Sequence, residues 1–181
     1  PPLKSSLDPF SLLSYSVYYH SVIITKRYSL QGIGDNCKGA ICKALEKAEV
    51  SQFTEFSIRD ERISHLVPVS AVTTAYGTLY MFSNSNGSMK QLIYCDEGID
   101  GGMPVFLNIE NQLPIALFGG FSYVAAISNE GKIIFINRWS IKCSPQSSIA
   151  AISLPNGDKA SSIAFCNASV IALSSNGKLF S

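Results

Sequence analysis

The feature that most limits what this chain can fold into is an internal repeat. YVAAISNEGKIIFIN (123–137) lies over SVIALSSNGKLFS (169–181) when Gly131 is set on Gly177. Both read as an apolar strand, a Ser, two polar residues, Gly, Lys and a second apolar strand. VSAVTTAYGTLYMFSN (69–84) joins with Gly77 in the same column, and HSVIITKRYSLQGIGDN (20–36) joins with Tyr28 there. The column Tyr28, Gly77, Gly131, Gly177 is spaced by 49, 54 and 46 residues, and eight residues upstream runs the column His20, Val69, Tyr123, Ser169. A unit of about 50 residues, made of a hairpin plus further short strands, is a sheet too small to bury its faces alone. Stacked units of this kind form propellers.

Local pattern points the same way. Short β-rich runs such as SVIIT (21–25), GTLYMF (77–82), KIIFI (132–136) and SVIAL (169–173) are separated by Gly, Asn, Asp, Ser and Pro. Glu130-Gly131 and Asn176-Gly177 supply the positive φ that tight hairpin turns need. Good helix formers gather only in Lys43 to Val50, a short run without an apolar stripe. The expected class is all-β, with propeller-type repeats amounting to about three and a half blades of roughly 50 residues, a half or fragment of a β-propeller. A sandwich with coincident hairpins is the competing arrangement. The expected organisation is one repeat domain over 1–181, with units 12–60, 61–112, 113–158 and an incomplete 159–181.

Of the 181 residues 46% are hydrophobic and 15% charged, a balance that excludes a disordered tail. The formal net charge is +1 and the basic residues are scattered, so no nucleic-acid partner is expected. PPLKSSLDPF is punctuated by prolines and an aspartate and does not resemble a signal peptide. Residues 63–89 lack charge but carry Ser, Thr, His, Asn, Gly and Pro throughout, so they read as strands and turns, and no membrane contact is expected. The five cysteines (Cys37, Cys42, Cys95, Cys143, Cys166) show no C-x-x-C spacing, and only His20 and His65 join them. That set predicts no zinc site and reduced thiols in a cytoplasmic or nuclear compartment. Two N-x-S sequons, at Asn86 and Asn167, are read as chance.

The first unit, HSVIITKRYSLQGIGDNCKGAI, resembles the repeat of the regulator of chromosome condensation family. On that register His20 takes the histidine place, Thr25 the threonine, Gly34 and Asn36 a Gly-x-Asn pair, and Gly39 and Ile41 the closing Gly-Gln-Leu segment. GGFSYVAAISNEGKIIFIN (119–137) matches the same half-repeat, with Gly119 and Gly120 leading. The repeat's tryptophan is replaced by Ile33, Phe82 and Ile136, and Gly-x-Asn survives only in the first unit. The resemblance spans about residues 12 to 181 and implies a seven-bladed propeller, of which PLKSSLD would be the last strand of a preceding blade. Since an unclosed propeller exposes a sheet edge, self-association or the remainder of a longer chain is expected to complete it.

The stretch GIGDNCKG suggests a phosphate loop, but the third glycine of G-x-G-x-x-G is replaced by Cys37, no helix is signalled after it, and Lys38 precedes Gly39. The glycines are read as relieving sterics at strand-end turns, with Asn36 bonding local backbone. No G-x-S-x-G elbow exists. His20 falls in a structural column, and His65, before a strand, reads as a turn or rim residue. The acids Asp60-Glu61, Asp96-Glu97 and Asp100 are read as solvent-facing, and nothing basic is placed to activate Cys37 or Cys42. No catalytic residue, cofactor or metal is expected. The residues singled out, His20, Thr25, Gly34, Asn36, Gly39, Gly77, Gly119, Gly120, Gly131 and Gly177, are structural repeat positions. The expected function is a non-enzymatic protein–protein interaction scaffold or adaptor, binding through connections such as 96–104 and 140–149. The resemblance implies, as the alternative, guanine-nucleotide exchange on or regulation of a small GTPase. A hydrolase is the more distant reading.

Overall fold

The computed structural model describes residues 10–15, 20–36, 39–42, 45, 49–96, 98–109, 112–137, 141, 149–166 and 169–181. Their strands form four antiparallel sheets, each following chain order. Sheet 1 comprises β1 (Phe10–Tyr15), β2 (His20–Thr25), β3 (Leu30–Asp35) and β4 (Glu49–Phe56). Sheet 2 comprises β5 (Val67–Thr73), β6 (Gly77–Ser83), β7 (Lys90–Asp96) and β8 (Val105–Leu107). Sheet 3 comprises β9 (Pro114–Gly119), β10 (Tyr123–Ser128), β11 (Ile133–Asn137) and β12 (Ile149–Ile152). Sheet 4 holds β13 (Ala160–Cys166), β14 (Ser169–Ser174) and β15 (Leu179–Phe180). This is an all-β architecture of about three and a half propeller blades. PLKSSLD, Cys37, Cys143 and most of 140–149 lie outside the described residues, as does most of the helix-forming run at 43–50. The end of that run, Glu49 and Val50, opens β4.

The sheets stack face to face, and three apolar clusters fill the seams. Val22, Ile24 and Phe56 of sheet 1 meet Tyr80, Phe82 and Ile93 of sheet 2. Leu79, Leu92 and Tyr94 of sheet 2 meet Val124, Ala126 and Ile134 of sheet 3. Ala125, Ile127 and Ile133 of sheet 3 meet Ile163 and Ala172 of sheet 4. Strand β6 shows why the inner strands read as unbroken apolar runs. Its side chains alternate between two seams, Tyr80 and Phe82 toward sheet 1 and Leu79 and Met81 toward sheet 3. Burial on both faces demands apolar residues at every position. The polar atoms this strand places at the first seam are satisfied: the Tyr80 hydroxyl donates to the Ile41 carbonyl at 2.7 Å and the Thr78 hydroxyl to the Ala40 carbonyl at 3.0 Å.

A buried hydroxyl locks one hairpin in each sheet: β2–β3, β5–β6, β10–β11 and β14–β15. Thr25, Thr74, Ser128 and Ser174 are all buried and follow the same 49-, 54- and 46-residue spacing as the repeat. Thr25 Oγ1 accepts from the amides of Arg27 and Ser29, and Thr74 Oγ1 from those of Tyr76 and Gly77. Ser128 Oγ accepts from Lys132 N at 3.2 Å and Ser174 Oγ from Lys178 N at 3.1 Å. Such hydroxyls hold turns by competing for backbone donors. Three residues after the hydroxyl the chain enters the left-handed region in three of the four copies: φ is 60° at Tyr28, 80° at Gly131 and 79° at Gly177. Tyr28 therefore keeps the backbone of the glycine column without its residue. Gly77 keeps the residue for another reason, since a Cβ there would collide with the Cys95 carbonyl.

Candidate interaction surface

The residues singled out in the first repeat turn inward. Asn36, almost fully buried, ties the segment that follows β3 with four hydrogen bonds. Its Oδ1 accepts from Ile41 N at 2.9 Å and Cys42 N at 3.2 Å, while its Nδ2 donates to the carbonyls of Cys42 at 3.1 Å and Leu45 at 2.6 Å. The Gly34–Asn36 stretch thus spends its polar groups on its own chain. Gly34, at a register shift in the β3–β4 pairing, has φ 107°. Gly39, with φ 77°, packs backbone to backbone on sheet 2: a Cβ there would lie 2.6 Å from Gly102 Cα. Gly119 faces Val72 and Gly120 faces Phe165, each too closely for a side chain. Gly131 abuts Lys159, whereas Gly177 has open space around it.

His20 is buried in β2, where its Nε2–H donates to Thr78 Oγ1 at 3.1 Å while the Thr78 hydroxyl donates to the Ala40 carbonyl at 3.0 Å. Desolvation lowers its pKa to about 4, outweighing the Gly77 backbone and the Asp35 charge, which both raise it. His65 is exposed and meets the Met89 thioether, 3.1 Å away. Among the described residues no three His, Cys, Asp or Glu side chains gather to hold a metal ion. No helix among them is long and apolar enough to cross a membrane.

The connection 96–104 differs from the exposed loop expected of it. Asp96 is fully buried, its carboxylate accepting from the Tyr94 hydroxyl at 2.9 Å and from Gly98 N at 2.8 Å. Ile99 is buried, and Gly102 is pressed against Gly39. Burial of Ile99 and the close packing of Gly102 on Gly39 account for the inward course. Near its end Met103 offers a large exposed apolar side chain.

The open concavity lies at the seam of sheets 1 and 2. A groove of about 690 Å³ runs from the hairpin tip at Tyr28 to the connection 57–66, with Phe56, Ile58, Leu66 and Pro68 among its apolar walls. Glu55, Arg59 and Glu61 line it as well. A second depression of about 280 Å³ continues it past Arg59 to Met103, Pro104 and Phe106. A clamp holds the ground between them. Arg62 donates from Nε to Asp60 Oδ1 at 2.8 Å and from Nη2 to Oδ2 at 2.7 Å, and its guanidinium lies 3.4 Å from the centre of the Phe106 ring. Hydrogen bonding by Arg62 holds the Asp60 carboxyl at about pKa 2. The bidentate fork and the ring stacking together fix a long side chain that would otherwise sweep the groove. Of the clamp and the hydroxyl column the sequence singles out Thr25 alone, as the repeat's threonine; Thr74, Ser128, Ser174 and the clamp are not among the repeat positions. The hydroxyls were signalled by Thr or Ser three residues ahead of the glycine column, whereas nothing in the order of residues paired Arg62 with Phe106.

A second surface is the outward face of sheet 4. Ala125, Ile127 and Ile133 of sheet 3 are 0%, 2% and 5% exposed beneath sheet 4. Forty-six residues on, the equivalents Ile171, Leu173 and Leu179 are 40%, 37% and 71% exposed. The register agrees, since Ile127 pairs with Ile133 and Leu173 with Leu179.

No family model matches the sequence, and no curated protein does. Solved structures do match the fold. Human WBSCR16 superposes with a TM-score of 0.63 at 16% identity, covering 90% of this chain and 44% of that one. Prp20p of Saccharomyces cerevisiae superposes with a TM-score of 0.64 at 13% identity, covering 96% of this chain and 45% of its own. Yeast RCC1 (Prp20), solved bound to Kap60, gives the same score and identity. This chain therefore spans under half the length of the structures it matches. Four meandering antiparallel sheets, apolar seams between them and these superpositions give the chain the fold of a partial, divergent RCC1-type β-propeller.

Proposed function

We propose that this chain is a non-enzymatic protein–protein interaction module, a scaffold or adaptor that presents the groove at the seam of sheets 1 and 2. The observation that carries the reading is the composition of that groove: apolar walls from Phe56, Ile58 and Leu66 between stacked sheets, with the exposed ring of Tyr28 and the charges of Glu55, Arg59 and Glu61 at hand. Aromatic and arginine anchors beside an apolar trough are the usual energetic centre of a protein interface. Of the groove's acids Asp60 is tied to Arg62, and no histidine is among the described residues that line it. The fold adds support, because Prp20p has been studied for binding to Gsp1p and histones, and yeast RCC1 has been solved with Kap60. The outward face of sheet 4 serves a separate role in this reading: it takes a further sheet, by self-association or from the remainder of a longer chain.

The test is capture of binding proteins by the wild-type chain and by the Tyr28→Glu and Arg59→Glu variants, both altered at the groove. A partner retained by wild type and lost by both variants is expected. Equal capture by all three would overturn the groove as the binding site. Guanine-nucleotide exchange is a second reading, favoured by the likeness to Prp20p alone. It requires that a captured partner be a small GTPase and that adding the chain accelerate release of its bound nucleotide.

A further inference from the structure

The geometry points to Cys42 and Cys95 as a site of oxidative cross-linking between sheets 1 and 2. Cys42 lies outside any strand, in the segment Asn36 ties to β3, and Cys95 lies within β7. Their sulfur atoms are 2.8 Å apart, although the residues are separated by 53 positions in sequence and belong to different sheets. A disulfide bond is about 2.05 Å long, so closing the pair asks for less than an ångström of movement between groups already facing each other. Both side chains are fully buried in the same apolar cluster as Val22, Ile24 and Phe82. Burial and the neighbouring thiol push the Cys95 thiol up, so at rest it is protonated and slow to react.

The oxidant we assign is hydrogen peroxide, admitted by local opening of the seam between sheets 1 and 2. The Cys42 thiolate attacks one peroxide oxygen; the O–O bond breaks, a sulfenic acid forms, and the other oxygen leaves as hydroxide, which takes up the proton the thiol had lost and becomes water. The Cys95 thiol then attacks the sulfenic sulfur, its proton goes with the departing hydroxyl as a second water, and the S–S bond forms. Two thiols are oxidised and one peroxide is reduced to two waters. Once formed, the bond is buried and shielded from bulky thiol reductants, and it fixes the seam between the two sheets. All three described cysteines are free thiols, and proximity and burial separate this pair from the exposed Cys166.

The test uses the chain with Cys37, Cys143 and Cys166 replaced by Ser, leaving only the pair. The folded protein is treated with hydrogen peroxide, unfolded, alkylated and mapped by mass spectrometry, with thermal unfolding recorded before and after. The expected result is a peptide linked through Cys42 and Cys95, monomeric protein, loss of both alkylation sites and a higher unfolding midpoint reversed by reductant under denaturing conditions. Alkylation of both cysteines after treatment would overturn the inference, as would sulfinic acid at either position or a link formed only in unfolded protein. Should that variant fail to fold, the same mapping on the wild-type chain decides between the same outcomes.

Discussion

The imidazole of His20 in β2 reaches across the first seam to the hydroxyl of Thr78 in β6, 3.1 Å away, and it does so as a neutral donor. Its folded pKa of about 4 lies below the ordinary value of 6.5. Between those values the unfolded chain binds a proton that the folded chain refuses, so stability falls as pH drops from 6.5 toward 4 and is flat above. The shift corresponds to a loss of about 3 kcal/mol across that window. Denaturant melts at pH 7 and pH 4.5 check this, and His20→Gln should remove most of the difference between them.

Gly39 and Gly102 are packed so closely that neither tolerates a side chain. Gly39→Ala adds backbone strain at φ 77° and a clash with Gly102, and it is expected to cost about 2–4 kcal/mol. Gly87 has a similar φ of 72° with nothing nearby, so Gly87→Ala should cost only about 1 kcal/mol. Equal costs for the two, measured by equilibrium unfolding, would remove the inter-sheet contact as the reason for Gly39.

The turn column gives predictions of opposite sign. Tyr28 holds a left-handed conformation that its Cβ disfavours, so Tyr28→Gly should stabilise by up to about 1 kcal/mol. Ser128→Ala leaves the Lys132 amide without its side-chain acceptor and should destabilise by about 1 kcal/mol. Thermal melts of the two single variants read both signs.

Ile127 and Leu173 occupy the same place in successive sheets, one covered and one open. Ile127→Asp should unfold the chain, because it buries an unpaired charge. Ile171→Asp combined with Leu173→Asp should leave the circular dichroism spectrum and melting behaviour nearly unchanged while weakening any self-association in sedimentation.

How far the fold could be read from the residues follows from what repeats. The 46-residue spacing of Gly131 and Gly177 marks hairpins that sit in sheets 3 and 4, and β-rich runs such as that of β6 announced strands, which the structure buries on both faces. Tyr28 interrupted the glycines of the column at its first copy, because sequence records the residue and not its φ. Asp96 was read as a solvent-facing acid, yet its neighbours Tyr94 and Gly98 supply donors that make burial tolerable. The groove was illegible for a plainer reason. Its walls come from Tyr28, residues 55–68 and Phe82, and no local pattern states which sheets will abut.

The central claim is that a partner binds at the seam of sheets 1 and 2, and hydrogen–deuterium exchange of the chain with and without its captured partner tests it most directly. Slowed exchange should appear at residues 55–68 and 103–106, with little change along β10 and β11. Protection confined to sheet 3 or sheet 4, with the amides of 55–68 exchanging as fast as in the free chain, would contradict it.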